Sequence, residues 1–272
     1  MLKHILSPVT GEKDGAHVPL CAQHIAQRFD AHVTAAYAES PDFAYAPTIG
    51  LGVTAPVFEN FYASQLKARE DLRRSARRQF DAAVAQTKMP IATRPLCAQA
   101  TTEWLDGGEA GDGDPVWAKG LLADLVVLSV PGERGERTLV EEVLFSAGRP
   151  ALLAPAGQVD VFFTRPLIAW NGSAQAANAV RAGLDLFTPD SKITVLQVGD
   201  LRAGRISAER MAHGLGWHCF EAEVRAVPDE PHRTGAIILE QARALGSTVI
   251  VLGAYGHSRA REWMLGGVTE YL

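Results

Sequence analysis

The stretch from Thr248 to Leu272 restricts the possible folds more than any other part of the sequence. A brief β-branched run, Val249-Ile250-Val251-Leu252, enters Gly253-Ala254-Tyr255-Gly256, and a glycine pair, Gly266-Gly267, follows. A short apolar run bounded in this way reads as a buried parallel strand feeding an anion-sized loop. Glycine accepts positive φ and lets backbone N–H groups approach a ligand closely. Val268-Thr269-Glu270-Tyr271-Leu272 reads as the opening of a helix, whose N-terminal N–H groups and dipole favour a phosphate. The spacing matches neither the dinucleotide fingerprint Gly-x-Gly-x-x-Gly nor the P-loop, and neither occurs at any strand end.

Upstream, apolar runs alternate with amphipathic stretches. Strands are predicted over 3–9, 32–38, 94–98, 124–129 and 151–154, with helices over 16–29, 61–87 and 115–122. The first helix carries Val18, Cys21, Ala22, Ile25 and Phe29 at the three-to-four-residue spacing of a core-facing stripe. Helix 61–87 bears Arg69, Glu70, Asp71, Arg73, Arg74, Arg77 and Arg78, read as a solvated charged face. Residues 41–57, rich in proline and glycine, read as a long loop.

After Pro155-Ala156-Gly157 the pattern restarts: strand 166–170, turn Asn171-Gly172-Ser173, helix 174–187, strand 192–198, helix 207–215, strand 219–227, helix 233–245, strand 248–252. Alternating strands and helices with short connections specify doubly wound parallel α/β layers with right-handed crossovers. The two copies register on their turns, Thr10-Gly11 with Asn171-Gly172 and Gly132 with Gly256. Two domains are therefore expected, 1–157 and 165–272. The second stops within the helix that in the first precedes strand 151–154, so its last strand is expected to be absent. An open sheet edge of that kind invites pairing with another chain, and a homodimer is expected.

Gly253-x2-Gly256-x9-Gly266, followed by the small residue Gly267 and Val268-Thr269-Glu270-Tyr271, resembles the nucleotide-binding signature of the universal stress protein family. With the internal repeat, the resemblance extends over the whole chain as a tandem, two-domain member. It implies two domains of the Rossmann-like, adenine nucleotide alpha hydrolase-like type. It also implies ATP or another adenine nucleotide as ligand, with Mg2+ as the ion accompanying its phosphates. Carried onto this sequence, the site comprises Ala169 and Trp170 beside the base, Asn171 at the ribose, and Val198 offering backbone contacts to adenine. Gly253, Gly256, His257, Gly266, Gly267 and Val268 complete it at the phosphates. The indole of Trp170 has two readings, stacking on a base or packing in the core.

The chain departs from the family pattern in three places. Gly267 stands where the family prefers serine or threonine, which removes a hydroxyl from the terminal phosphate. Asn171 replaces the usual aspartate, and an amide is the weaker ligand for a divalent ion. In the first copy Ser129 replaces the leading glycine, and the loop carries Glu133, Glu136, Glu141 and Glu142. Carboxylates in that number repel a polyphosphate, so nucleotide binding is expected in the second copy alone.

Composition narrows the function classes. A net charge of −5 argues against a general nucleic-acid surface. No apolar stretch approaches the ~20 residues of a spanning helix, and the expectation is a cytoplasmic protein without membrane partners. Cys21, Cys97 and Cys219 are odd in number and widely spaced, which is no disulfide framework. His17, Cys21 and His24 share one side of a helix and have metal-ligand types, but Cys21 also belongs to the apolar stripe, and no metal site is assigned. No Gly-x-Ser-x-Gly, His-Glu-x-x-His or paired-carboxylate arrangement is present. The expectation is a nucleotide-binding regulator in stress response with an unidentified protein partner. The alternatives are a slow ATP hydrolase and a nucleotide-independent dimeric scaffold.

Overall fold

The computed structural model describes residues 2–13, 15–39, 55–94, 96–105, 116–130, 139–157, 162–230 and 232–253. The chain divides into two compact units, Met1–Val159 and Asp160–Leu272. The first contains β1 (His4–Val9), α1 (Val18–Phe29), β2 (His32–Tyr37), α2 (Ala55–Thr87) and β3 (Thr101–Leu105). It continues with α3 (Val116–Gly120), β4 (Leu125–Ser129), a π-helical turn counted as α4 (Val143–Ala147) and β5 (Ala151–Ala154). Its five strands lie parallel in the order β3-β2-β1-β4-β5. The second unit contains β6 (Pro166–Ala169), α5 (Ala174–Leu184), β7 (Ile193–Val198), α6 (Ala208–Gly216), β8 (Ala222–Val227), α7 (Thr234–Leu245) and β9 (Val249–Leu252). Among the described residues its sheet has four parallel strands, β8-β7-β6-β9. Both are doubly wound α/β layers, as the alternation of periods implies.

The first strand of each unit lies inside its sheet and is covered on both faces. Ile5 and Leu6 in β1 and Leu167 and Ile168 in β6 have no exposed surface, which is why these strands read as unbroken apolar runs rather than alternating ones. Helix α1 buries Val18, Cys21, Ala22, Ile25 and Ala26 and ends at Asp30 in the left-handed region. Helix α2 buries Ala76, Phe80 and Ala83, with Ala76 and Phe80 packed on Val9 and Ala35. Its charges are partly organised: Arg77 pairs with Asp81 at 3.0 Å and lies over the Phe80 and Trp104 rings. Arg69 pairs with Glu39 and Arg74 with Asp71. Such exposed pairs add little stability each.

The strand registers bear on the repeat. Leu6 pairs with Val126 in the first unit and Leu167 with Ile250 in the second. Matching these pairs puts Gly11 opposite Gly172 and Ser129 opposite Gly253, the same alignment the turns gave.

Three local expectations are corrected. The strand expected at 94–98 lies instead at Thr101–Leu105. Ala98 adopts φ +55°, incompatible with a strand, whereas Thr101 and Thr102 are buried against β2. The polar Glu103 interrupts the apolar pattern that would have marked this strand. Helix α2 starts at Ala55, so residues 55–57 of the expected loop are helical; residues 41–54 lie outside the described residues. Strand β8 starts at Ala222 rather than at 219, because Cys219 turns to φ +64° and its N–H bonds the Gly216 carbonyl, prolonging the end of α6.

The cysteines separate by burial. Cys21 is 2% exposed and burial pushes its thiol up to about 12, while Cys97 and Cys219 are exposed. Thiolate is the reactive form, and a raised pKa keeps Cys21 protonated at pH 8. Ellman's reagent is therefore expected to titrate Cys97 and Cys219 in the native protein and Cys21 only after denaturation. Equal reaction rates for all the thiols would contradict this placement.

Candidate functional site

In a doubly wound sheet a ligand crevice opens beyond the carboxyl ends of the strands, where the winding reverses. In the second unit the reversal falls at β6, which lies between β7 and β9. Ala169, its last residue, pairs with Leu196 on one side and Leu252 on the other. The ladder to β7 closes with Trp170 N–H donating to the Leu196 carbonyl at 2.8 Å. Beyond this rung β6 turns away at Asn171-Gly172, and Val198 lies two residues further along β7. Main-chain groups alternate in direction along a strand, and Gly199 N–H donates outward to Val227 on β8. The Val198 main chain therefore faces the β6 side, past the last rung.

Gly253 follows β9 immediately. A Cβ added there would stand 2.4 Å from the Ala176 nitrogen and 2.6 Å from the Gln175 carbonyl carbon. The glycine is required by this approach of backbone to backbone, which brings the end of β9 against the first turn of α5. That turn is capped from within the site: Ser173 Oγ accepts the Ala176 N–H at 3.1 Å, and Asn171 Oδ1 accepts the Ser173 N–H at 3.1 Å. Polar side chains ahead of a helix satisfy its first N–H groups.

Ala169, Trp170, Asn171, Val198 and Gly253 are thus gathered at one edge. The side chains of Ala169 and Val198 are half-buried on the cluster of Leu167, Leu196, Ile238 and Ala242. Asn171 is exposed. Trp170 is 6% exposed and its Nε1–H donates to the Ile206 carbonyl at 2.8 Å. Of the two readings of this indole, the structure has the packed one. Gly256, His257, Gly266, Gly267 and Val268 lie outside the described residues, as do Arg259 and Arg261.

The sequence reading missed the loop from β7 to α6. Gly172 has φ +67°, and a Cβ on it would lie 2.7 Å from Arg205 Cβ and 3.0 Å from the Ile206 carbonyl oxygen. Arg205 Nη1 donates to the Gly172 carbonyl at 3.2 Å. The available signal was Gly172 itself, since a glycine at a strand end marks close approach as often as a turn. A divalent ion fits poorly here. Asn171 Oδ1 is already engaged, and the described residues hold no cluster of three candidate metal ligands. No role is derived for Mg2+.

At the matching edge of the first unit the described residues line a small cavity. Pro8, Thr10, Val18, Leu128, Ser129, Leu139 and Val140 help enclose a cavity of about 20 Å³, room for about one water molecule. Leu139 and Val140, both buried, are among its lining, and the sequence reading had weighed only the glutamates of this segment. Glu141 and Glu142 are half-buried, while Glu133 and Glu136 lie outside the described residues. His17 Nε2 bonds the Ala154 carbonyl at 2.8 Å, which ties α1 to β5.

Neither a protein-family profile nor a curated protein sequence matches the chain. Among solved structures, a universal stress protein from Archaeoglobus fulgidus DSM 4304 aligns over 98% of this chain and 90% of its own, with a TM-score of 0.61 at 14% identity. The chain therefore has the universal stress protein fold, with the alignment extending over both units. A protein of the universal stress protein family from Burkholderia pseudomallei covers 57% of this chain and 97% of its own, with 17% identity and a TM-score of 0.31. A universal stress protein in complex with cAMP covers 56% and 95%, with 14% identity and a TM-score of 0.26. Scores as low as these two do not define a shared fold.

Gly253→Ala would force β9 and α5 apart, because the clash is with main chain that has no rotamer to yield. A destabilisation of about 1–3 kcal/mol is expected, read as a lower urea midpoint with an unchanged slope. A variant as stable as the parent would show that the approach is looser than described.

Proposed function

We propose that the second unit is a receptor for an adenine nucleotide, ATP or a close relative, whose occupancy regulates a stress response. On this reading the chain is a cytoplasmic universal stress protein that acts as a homodimer on an unidentified protein partner. Among the described residues no helix is long and apolar enough to cross a membrane. The observation that carries the reading is the convergence at the end of β6. The Val198 main chain lies past the last rung, the capped start of α5 abuts Gly253, and the glycine-spaced segment 253–268 begins there. Adenine would take hydrogen bonds from Val198, the ribose would lie at Asn171, and the phosphates would follow the glycines toward His257, Arg259 and Arg261. No described residue at this edge is placed as a nucleophile or general base, which favours binding over turnover. The glutamates of the corresponding first-unit loop, Glu133, Glu136, Glu141 and Glu142, support a structural role for that half.

Mass spectrometry of small molecules released from the purified protein, followed by calorimetry, tests the reading. Gly256→Val is expected to abolish nucleotide binding without lowering the melting temperature of the ligand-free protein. Gly132→Val is expected to leave binding unchanged. Failure of the parent protein to bind ATP, ADP or AMP at millimolar concentration would favour the scaffold instead.

A further inference from the structure

The loop between β7 and α6 brings a guanidinium group to the proposed crevice. The contacts are several and mutually consistent. Trp170 Nε1–H holds the Ile206 carbonyl, Arg205 Nη1 holds the Gly172 carbonyl, and the missing side chain of Gly172 makes room for both residues. The loop is thereby fixed to the turn that ends β6, and Arg205 is anchored beside Asn171 and the first turn of α5. Arg205 is exposed. Among the described residues no carboxylate forms an ion pair with it, in contrast to Arg69, Arg74, Arg77 and Arg233, each of which has one. A guanidinium carries five donors in a planar fork suited to carboxylate and phosphate, and the bond to the Gly172 carbonyl uses one of them.

Resting on the nucleotide reading above, we propose that Arg205 contacts the ligand's phosphates and makes the second unit select phosphorylated adenosines over adenosine. The same loop that seals Trp170 into the core carries this residue, so the charge is in place before the ligand arrives. A preorganised cation of this kind requires no large rearrangement on binding.

The test is calorimetry of the full chain with ATP, ADP and adenosine, at low and high salt, for the parent protein, Arg205→Gln and Arg205→Lys. Glutamine can still donate to the Gly172 carbonyl, so the loop remains held while the charge is lost. Expected for Arg205→Gln is an about ten- to hundredfold weaker ATP affinity, the scale of a hydrogen bond to a charged group. Adenosine affinity stays unchanged and the salt dependence becomes shallower. Arg205→Lys is expected to fall between, keeping the charge without the fork. Equal ATP affinity in the parent and Arg205→Gln would overturn the role of Arg205 and leave the nucleotide reading standing. Parallel losses for ATP and adenosine would overturn it too, by showing that the residue only holds the loop. A parent protein that binds none of the three ligands would remove the nucleotide reading and this inference with it.

Discussion

Main chain pressed directly on main chain at the carboxyl ends of the inner strands is the constraint on which the rest of this structure depends. Gly11, after β1, would put a Cβ 2.0 Å from the Leu72 carbonyl oxygen of α2. Gly172 holds the equivalent place after β6 and meets Arg205 and Ile206 instead. Gly253 meets the first turn of α5. Gly11 and Gly172 also need positive φ, which side chains with a Cβ tolerate poorly. At each place a strand end is fixed against the next element without an intervening side chain, so the geometry of the edge is set by backbone dimensions. Side chains such as Trp170 then fill what the backbone leaves.

Most of the fold was legible because its signals are local and repeated. Apolar runs in β1, β4, β6 and β9 and the spaced stripe of α1 state their roles within a few residues. Ser173 and Ser207 stand ahead of α5 and α6, and each side chain caps its helix. Strand β3 was misplaced because its burial comes from threonines pairing with β2, a long-range fact with no local apolar trace. The start of β8 was misplaced because Cys219 turns left-handed, and nothing in its side chain announces that.

The site was legible in part, and the division has a physical reason. Residues whose contribution is positional, such as Ala169, Val198 and Gly253, follow from where strands end. Contacts that need a second loop do not, and so Arg205 and Ile206 went unread, as did Leu139 and Val140 in the first unit. Glycine spacing suggests a ligand in the chain, but Gly253 shows that a signature glycine can serve the fold beside any service to a ligand. Its counterpart in the first unit, Ser129, lines a small cavity.

The matched registers of the two sheets, Leu6 with Val126 and Leu167 with Ile250, carry a consequence for how such a chain can change over generations. Two copies of one plan in a single polypeptide are inherited together, so one can drift while its twin keeps the older constraint. Leu139 and Val140 pack beside β4 in the first unit. Divergence within the gene can thus separate the two copies in sequence, leaving the shared geometry of the strands as its record.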